Sequence, residues 1–205
     1  MIDSDAAIAG VDEAGRGPWA GPVVAAAAIL SDESAETLRR NGVTDSKTLG
    51  RAARDRCFAA IRAEESRGRL WLAVAAADVP EIDEHNILQA TLRAMTRAVT
   101  ALPVVPARAL IDGNRLPELP CPGETVVRGD SKILAIAAAS IAAKVTRDGL
   151  MAALAHDHPG YGWERNAGYG TAEHRRALES LGVTAHHRRS FAPIRELLER
   201  TPTSR

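Results

Sequence analysis

Four carboxylates stand where short apolar runs give out: Asp12 and Glu13 after residues 8–11, Asp112 after residues 109–111, and Asp130 just beyond residues 125–127. In α/β sheets, functional groups gather at the carboxyl ends of strands, where loops open a crevice. Taken singly, each acid reads as a solvated turn residue. Gathered on neighbouring parallel strands, they could not all stay ionised unaided, because each charge raises the pKa of the others. Hard divalent cations resolve that conflict, and oxygen ligands with open positions suit Mg²⁺ or Mn²⁺. Adjacent strand residues face opposite ways, so Asp12 and Glu13 serve one site only if the chain turns at that point; Gly15 and Gly17 provide for a turn.

The elements that must hold these groups follow from patterning. Residues 8–11 and 22–30 flank Gly15, Gly17, Pro18 and Gly21, which predicts strand, tight loop and strand. Alanine richness in residues 23–30 also suits a helix, but Pro22 and the paired valines favour an extended chain. Residues 47–65 have the pattern of a surface helix, and a strand follows over 70–77. Leu88, Leu92, Met95, Val99 and Leu102 form the stripe of an amphipathic helix, capped by Asn86 and stopped by Pro103; the stripe is core and carries no chemistry. Strands over 109–111 and 125–127 precede a long helix from Ser131 to His156, and Thr171 and Gly182 bracket another. The expected organisation is one α/β domain over residues 1–205: a catalytic core to about 156, a helical part over about 157–200, and a frayed tail at 201–205.

Lys plus Arg and Asp plus Glu both number 26, so overall charge neither advertises nor excludes a nucleic-acid partner; phosphate contacts depend on local clusters. Cys57 and Cys121 lack zinc spacing and fit a reducing compartment. The N-terminus carries Asp3 and Asp5 and does not look like a secretion signal, and the longest apolar runs are about half of a bilayer span. A cytoplasmic protein without membrane association is expected. Gly15-x-Gly17 matches part of a dinucleotide fingerprint, but Pro18 and Pro22 spoil the helix start that pattern requires. The sequence has neither a P-loop Gly-Lys-Ser/Thr nor an H-E-x-x-H, so the histidines are expected at the surface or beside substrate.

The stretch from Ile8 to Val23, IAGVDEAGRGPWAGPV, closely resembles the opening signature of the bacterial ribonuclease HII family, the type 2 ribonucleases H. Further blocks in family order are Thr44–Lys47, Ile82–Leu88, Ile111–Asn114, Gly129–Lys132, Ala138–Asp148, Gly168–Thr171 and His187–Phe191. The resemblance implies a ribonuclease H-like fold: a mixed five-stranded sheet flanked by helices, with a helical C-terminal extension. It implies an endoribonuclease that hydrolyses the RNA strand of RNA/DNA hybrids and nicks duplex DNA 5′ to embedded ribonucleotides, leaving 5′-phosphate and 3′-hydroxyl ends. Ribonucleotide and RNA primer removal would be its role.

By motif position the catalytic, metal-holding carboxylates are Asp12, Glu13, Asp112 and Asp130, with two Mn²⁺ or Mg²⁺ ions in the active complex. Gly15, Arg16 and Gly17 are similar to the family loop whose backbone reads the 2′-hydroxyl, the group that separates RNA from DNA. Tyr169 matches the family tyrosine that packs on the following deoxyribose; without the motif it reads as a partly buried core residue. Ser46, Lys47, Lys144 and Arg147 are expected to contact phosphates, although a lone lysine or arginine is by default solvated. Arg175, Arg176, Arg188 and Arg189, with His174, His186 and His187, are expected to wall the groove. Residues 164–167 hold less lysine than many relatives, which bears on substrate affinity.

The partners implied are RNA/DNA hybrid and ribonucleotide-containing duplex DNA, bound by a monomer; no protein partner is identified. The rival readings are a junction-resolvase type of ribonuclease H-like nuclease, which lacks this pairing of Gly-Arg-Gly and Gly-Tyr-Gly, and a non-catalytic nucleic-acid-binding protein, which the intact acids oppose. The extra N-terminal domain of type 3 enzymes has no room before Ile8.

Overall fold

The first apolar run forms β1 (Ile8–Ala14), which pairs antiparallel with β2 (Val23–Leu30), itself antiparallel to β3 (Leu70–Ala77). On the other flank β1 pairs parallel with β4 (Arg108–Asp112), and β4 with β5 (Gly123–Val126), giving a mixed sheet ordered β3-β2-β1-β4-β5. The computed structural model describes residues 7–200; the tail expected to fray and the first six residues lie outside the described residues. Helices α1 (Asp32–Arg40), α2 (Arg51–Ser66) and α4 (Leu134–Asp157) cover one face, and α3 (Val79–Thr100) covers the other. Three short helices, α5 (Trp163–Asn166), α6 (Ala172–Leu181) and α7 (Ala192–Arg200), follow, with a core cluster of their own around Met151, Trp163, Leu178 and Ile194.

Strand β2 is buried on both faces, Val23, Ala25, Ala27 and Ile29 toward α3 and Val24, Ala26 and Ala28 toward α4. Its alanines let helices approach from both sides, so the run that also suited a helix is a central strand. At Gly10 of β1 the approach is closest. A Cβ there would lie 2.3 Å from backbone atoms of Ala135 and Ile136, so a glycine is what lets the start of α4 rest on β1. That contact sets the turn carrying Asp130 over the strand carrying Asp12.

Several local expectations are corrected. Strand β1 runs through Asp12 and Glu13 to Ala14, paired with Val24, and the turn comes only at Gly15, with φ 99°. The helix expected from residue 47 begins at Arg51, because Asp45 ties the preceding segment into a turn: its carboxylate accepts from the Lys47 N–H and its carbonyl from the Thr48 N–H. Asn86 does cap a helical segment, accepting from the N–H groups of Leu88 and Gln89, but it sits at a kink with φ 65° and a further segment capped by Asp78 precedes it. The long helix starts at Leu134 after a short 3₁₀ turn, Gly129–Ser131. Helix α1, unforeseen, is capped by Ser31 with Asp32 and Glu33 in its first turn. Among the described residues no helix is long and apolar enough to cross a membrane.

Candidate active site

Val11 of β1 lies beside Ile111 of β4, and both pack toward α3. Their successors, Asp12 and Asp112, therefore share the α4 face. Asp12 is 2% exposed and Asp130, in the turn before α4, 4%. Pairing of β1 with β4 stops at Val11, which frees the flank of Glu13 to face the same cleft without a turn at that residue. Burial holds the Asp12 carboxyl well above its ordinary pKa, and the charges of Glu13 and Asp112 push the same way against a hydrogen bond from Ser140. Burial also raises Glu13, opposed by Arg16, whose guanidinium lies 3.7 Å from its carboxylate.

Asp12 accepts from the Glu13 N–H at 2.7 Å, Asp112 from the Gly129 N–H at 2.6 Å, and Asp130 from the Lys47 ammonium at 3.0 Å. Each of these three acids thus commits an oxygen to a donor of the protein, and among the described residues no three ligand-type side chains close into a cage. The donor set is nonetheless all oxygen and anionic, with uncommitted carboxylate oxygens on the cleft, which fits a hard divalent cation and not zinc. Burial works against the Lys47 charge, but Asp130, Asp12 and Asp112 outweigh it and hold that ammonium above the ordinary lysine pKa.

The cleft encloses about 240 Å³. Asp12, Glu13 and Asp112 line it together with Gly15, Arg16 and Gly17, and with Ser46, Lys47, Lys144 and Tyr169. The ring of Tyr169 lies over Gly17, where a Cβ would come to 3.4 Å from it. Lys144 also pairs with Asp148 at 2.8 Å. Two polar lining residues were not singled out as site residues from the sequence. Ser140 sits one helical turn before Lys144, a spacing that could have found it, and its hydroxyl meets that of Ser46 at 2.9 Å. Arg54 holds the Lys47 turn through the carbonyls of Ser46 and Leu49.

Arg147 is a correction. Its guanidinium is buried and donates to the carbonyls of Pro22, Ala167 and Ala20 at 2.9, 2.9 and 3.1 Å, which leaves it off the cleft and out of reach of a phosphate. The basic C-terminal wall is corrected in the same sense for His174, His187 and Arg188, all 0% exposed; Arg175, Arg176 and Arg189 are exposed, with Arg175 stacked on Trp19.

A family model described as Ribonuclease HII matches residues 9–194. The chain belongs to the ribonuclease HII family. By that membership it is a ribonuclease H, a phosphodiester hydrolase. A ribonuclease HII of Rhodospirillum rubrum is 56% identical over 194 residues, covering 95% of this chain and 88% of its own. Among solved structures, the ribonuclease H2 from Pyrococcus horikoshii OT3 matches with a TM-score of 0.81 at 27% identity, over 95% of this chain and 98% of its own. Bst-RNase HIII in complex with Mn²⁺ shares the fold at a TM-score of 0.75 and 21% identity, over 96% and 70%.

In this ribonuclease HII family member, a chain of neutral histidines stands behind Tyr169. The Thr184 N–H donates to His187 Nδ1 at 3.0 Å, so the His187 proton is on Nε2, 3.1 Å from His174 Nε2. That atom also accepts from the Trp163 indole at 3.1 Å, which places the His174 proton on Nδ1, facing the Tyr169 carbonyl at 3.0 Å. Protonating either ring would set a donor against a donor. Burial, with the neighbouring His174 second, pushes His187 down to about 3.

Proposed function

We propose that this protein is an endoribonuclease that cuts the RNA strand of RNA/DNA hybrids and nicks duplex DNA on the 5′ side of an embedded ribonucleotide, leaving 5′-phosphate and 3′-hydroxyl ends. The observation that carries the reading is one cleft shared by Asp12, Glu13 and Asp112, the Gly15–Gly17 loop, Lys47 and Tyr169. Asp12, Glu13, Asp112 and Asp130 would hold divalent ions, Mg²⁺ or Mn²⁺, two in the active complex. The chemistry such ions supply when bound is activation of the attacking water and stabilisation of the departing 3′-oxygen.

The protein's own groups bind and orient. Backbone of the Gly15, Arg16 and Gly17 loop, which lines the cleft, meets the 2′-hydroxyl. Tyr169 packs on the deoxyribose that follows, so the cleft selects an RNA-to-DNA junction. Lys47 and Lys144 hold phosphates, each released from a carboxylate partner, and Ser46 braces the Lys47 turn through Ser140. The helical part after residue 156, which brings Tyr169, completes the groove of one domain. The free thiols of Cys57 and Cys121 fit the cytoplasm as its compartment, and a monomer is the working form.

The test is incubation with duplex DNA carrying one ribonucleotide, with and without chelator, and mapping of the ends. A chelator-sensitive nick 5′ to the ribonucleotide is expected. Cleavage of all-DNA duplex, or binding without cutting, overturns the reading.

A further inference from the structure

Arg188 lies more than a hundred residues from the Gly15–Gly17 loop in sequence, yet its guanidinium grips that loop from behind. Its Nη2 donates to the Gly15 carbonyl at 2.6 Å, its Nη1 to the Arg16 carbonyl at 2.9 Å, and its Nε to the Gly21 carbonyl at 3.0 Å. The side chain is 0% exposed and its hydrogen-bond partners are carbonyls, with no carboxylate among them. Arg147 is buried against three carbonyls in the same way; what sets Arg188 apart is that two of its three carbonyls belong to the loop that lines the cleft.

The geometry of the peptide unit says what the grip does. In a trans peptide the carbonyl and the following N–H point in opposite directions, and no described peptide bond is cis. Pulling the Gly15 and Arg16 carbonyls toward Arg188 therefore turns the N–H groups of Arg16 and Gly17 the other way, onto the cleft that both residues line. Neither N–H meets an acceptor among the described residues. The grip is itself braced: Phe191 lies under the guanidinium at 5.1 Å, the Arg188 N–H donates to the Trp19 carbonyl at 2.8 Å, and Asp83 accepts from the N–H groups of Arg189 and Ser190 at 2.9 Å.

We infer that Arg188 is a positioning residue for sugar discrimination: by holding two carbonyls of the loop it aims two backbone donors at the 2′-oxygen of the ribose. The inference rests on the proposed reading that this loop meets the 2′-hydroxyl. It assigns Arg188, expected from sequence to line a groove, to the back of the recognition loop.

The experiment compares affinity for two duplexes of one sequence, one all DNA and one with a single ribonucleotide, in an Asp112→Asn background that binds without turnover. Arg188→Lys keeps the charge but cannot span three carbonyls. The preference for the ribonucleotide should fall about tenfold, the worth of one well-placed hydrogen bond, while affinity for all-DNA duplex holds. Asp83→Ala, a change at a half-buried residue outside the cleft that releases Arg189 and Ser190, should lower the same ratio and carries the test should Arg188→Lys not fold. An unchanged ratio in the variants that fold overturns the inference. A parent protein with no preference for the ribonucleotide overturns instead the reading on which the inference rests.

Discussion

Acid should loosen this protein through His187. In the folded chain that ring is neutral and pushed down to about 3 by burial and by His174, His186 and His158; unfolded, it returns to 6.5. Above the unfolded value both states are neutral and nothing is lost. Between 6.5 and 3 the unfolded chain binds a proton that the folded one refuses, so stability falls as pH falls across that window. Taking those two values, acidification from about pH 7 to about pH 4.5 costs roughly 2.5 kcal/mol through this one group. For a chain of this size that lowers the melting temperature by roughly 5–10 °C. The assay is thermal unfolding of the parent and of His187→Asn across that range. The variant keeps an acceptor for Thr184 but cannot titrate, so it should start less stable and lose less on acidification. Asp12 and Glu13 act in the opposite sense, because their folded carboxyls are raised, and they cancel in the comparison. Parallel loss in the two proteins would refute the neutral-histidine chain.

Gly10→Ala should cost about 1–3 kcal/mol or more, seen as a lower urea midpoint, because its Cβ meets α4 backbone that cannot yield like a side chain. Arg147→Met should lower stability by about 3 kcal/mol, leaving three buried carbonyls unmet, and leave the salt dependence of duplex binding unchanged. Lys144→Gln should do the reverse, flattening the slope of log affinity against log salt by about 0.9 with little change in melting temperature.

That Asp12, Glu13 and Asp112 share a cleft was legible because its cause is local: an apolar run ending in an acid marks a strand end, and parallel neighbours bring such ends together. Gly15 and Tyr169 were legible through short motifs. Burial was not. Arginines 147 and 188 look like groove cations in sequence, but each finds its partners in carbonyls far along the chain, and no spacing rule reports a contact 173 residues away such as that from Arg188 to Gly15. The route by which Glu13 reaches the cleft, though not its place there, was misjudged for a related reason. A turn at residue 13 seemed necessary, whereas the early end of β4 pairing opens the flank of an uninterrupted strand. Helix α1 had its signals in plain view, with Ser31 before an acidic turn and Arg39 and Arg40 at its end, but too few apolar residues to draw notice.

Whether the four acids act as one ligand set is tested most directly by titration of Mn²⁺ into the protein with a ribonucleotide-containing duplex bound. Replacing any one of Asp12, Glu13, Asp112 or Asp130 by its amide should weaken the ion and slow turnover together. Undiminished Mn²⁺ affinity and cleavage in any of the four variants would contradict a shared ligand set.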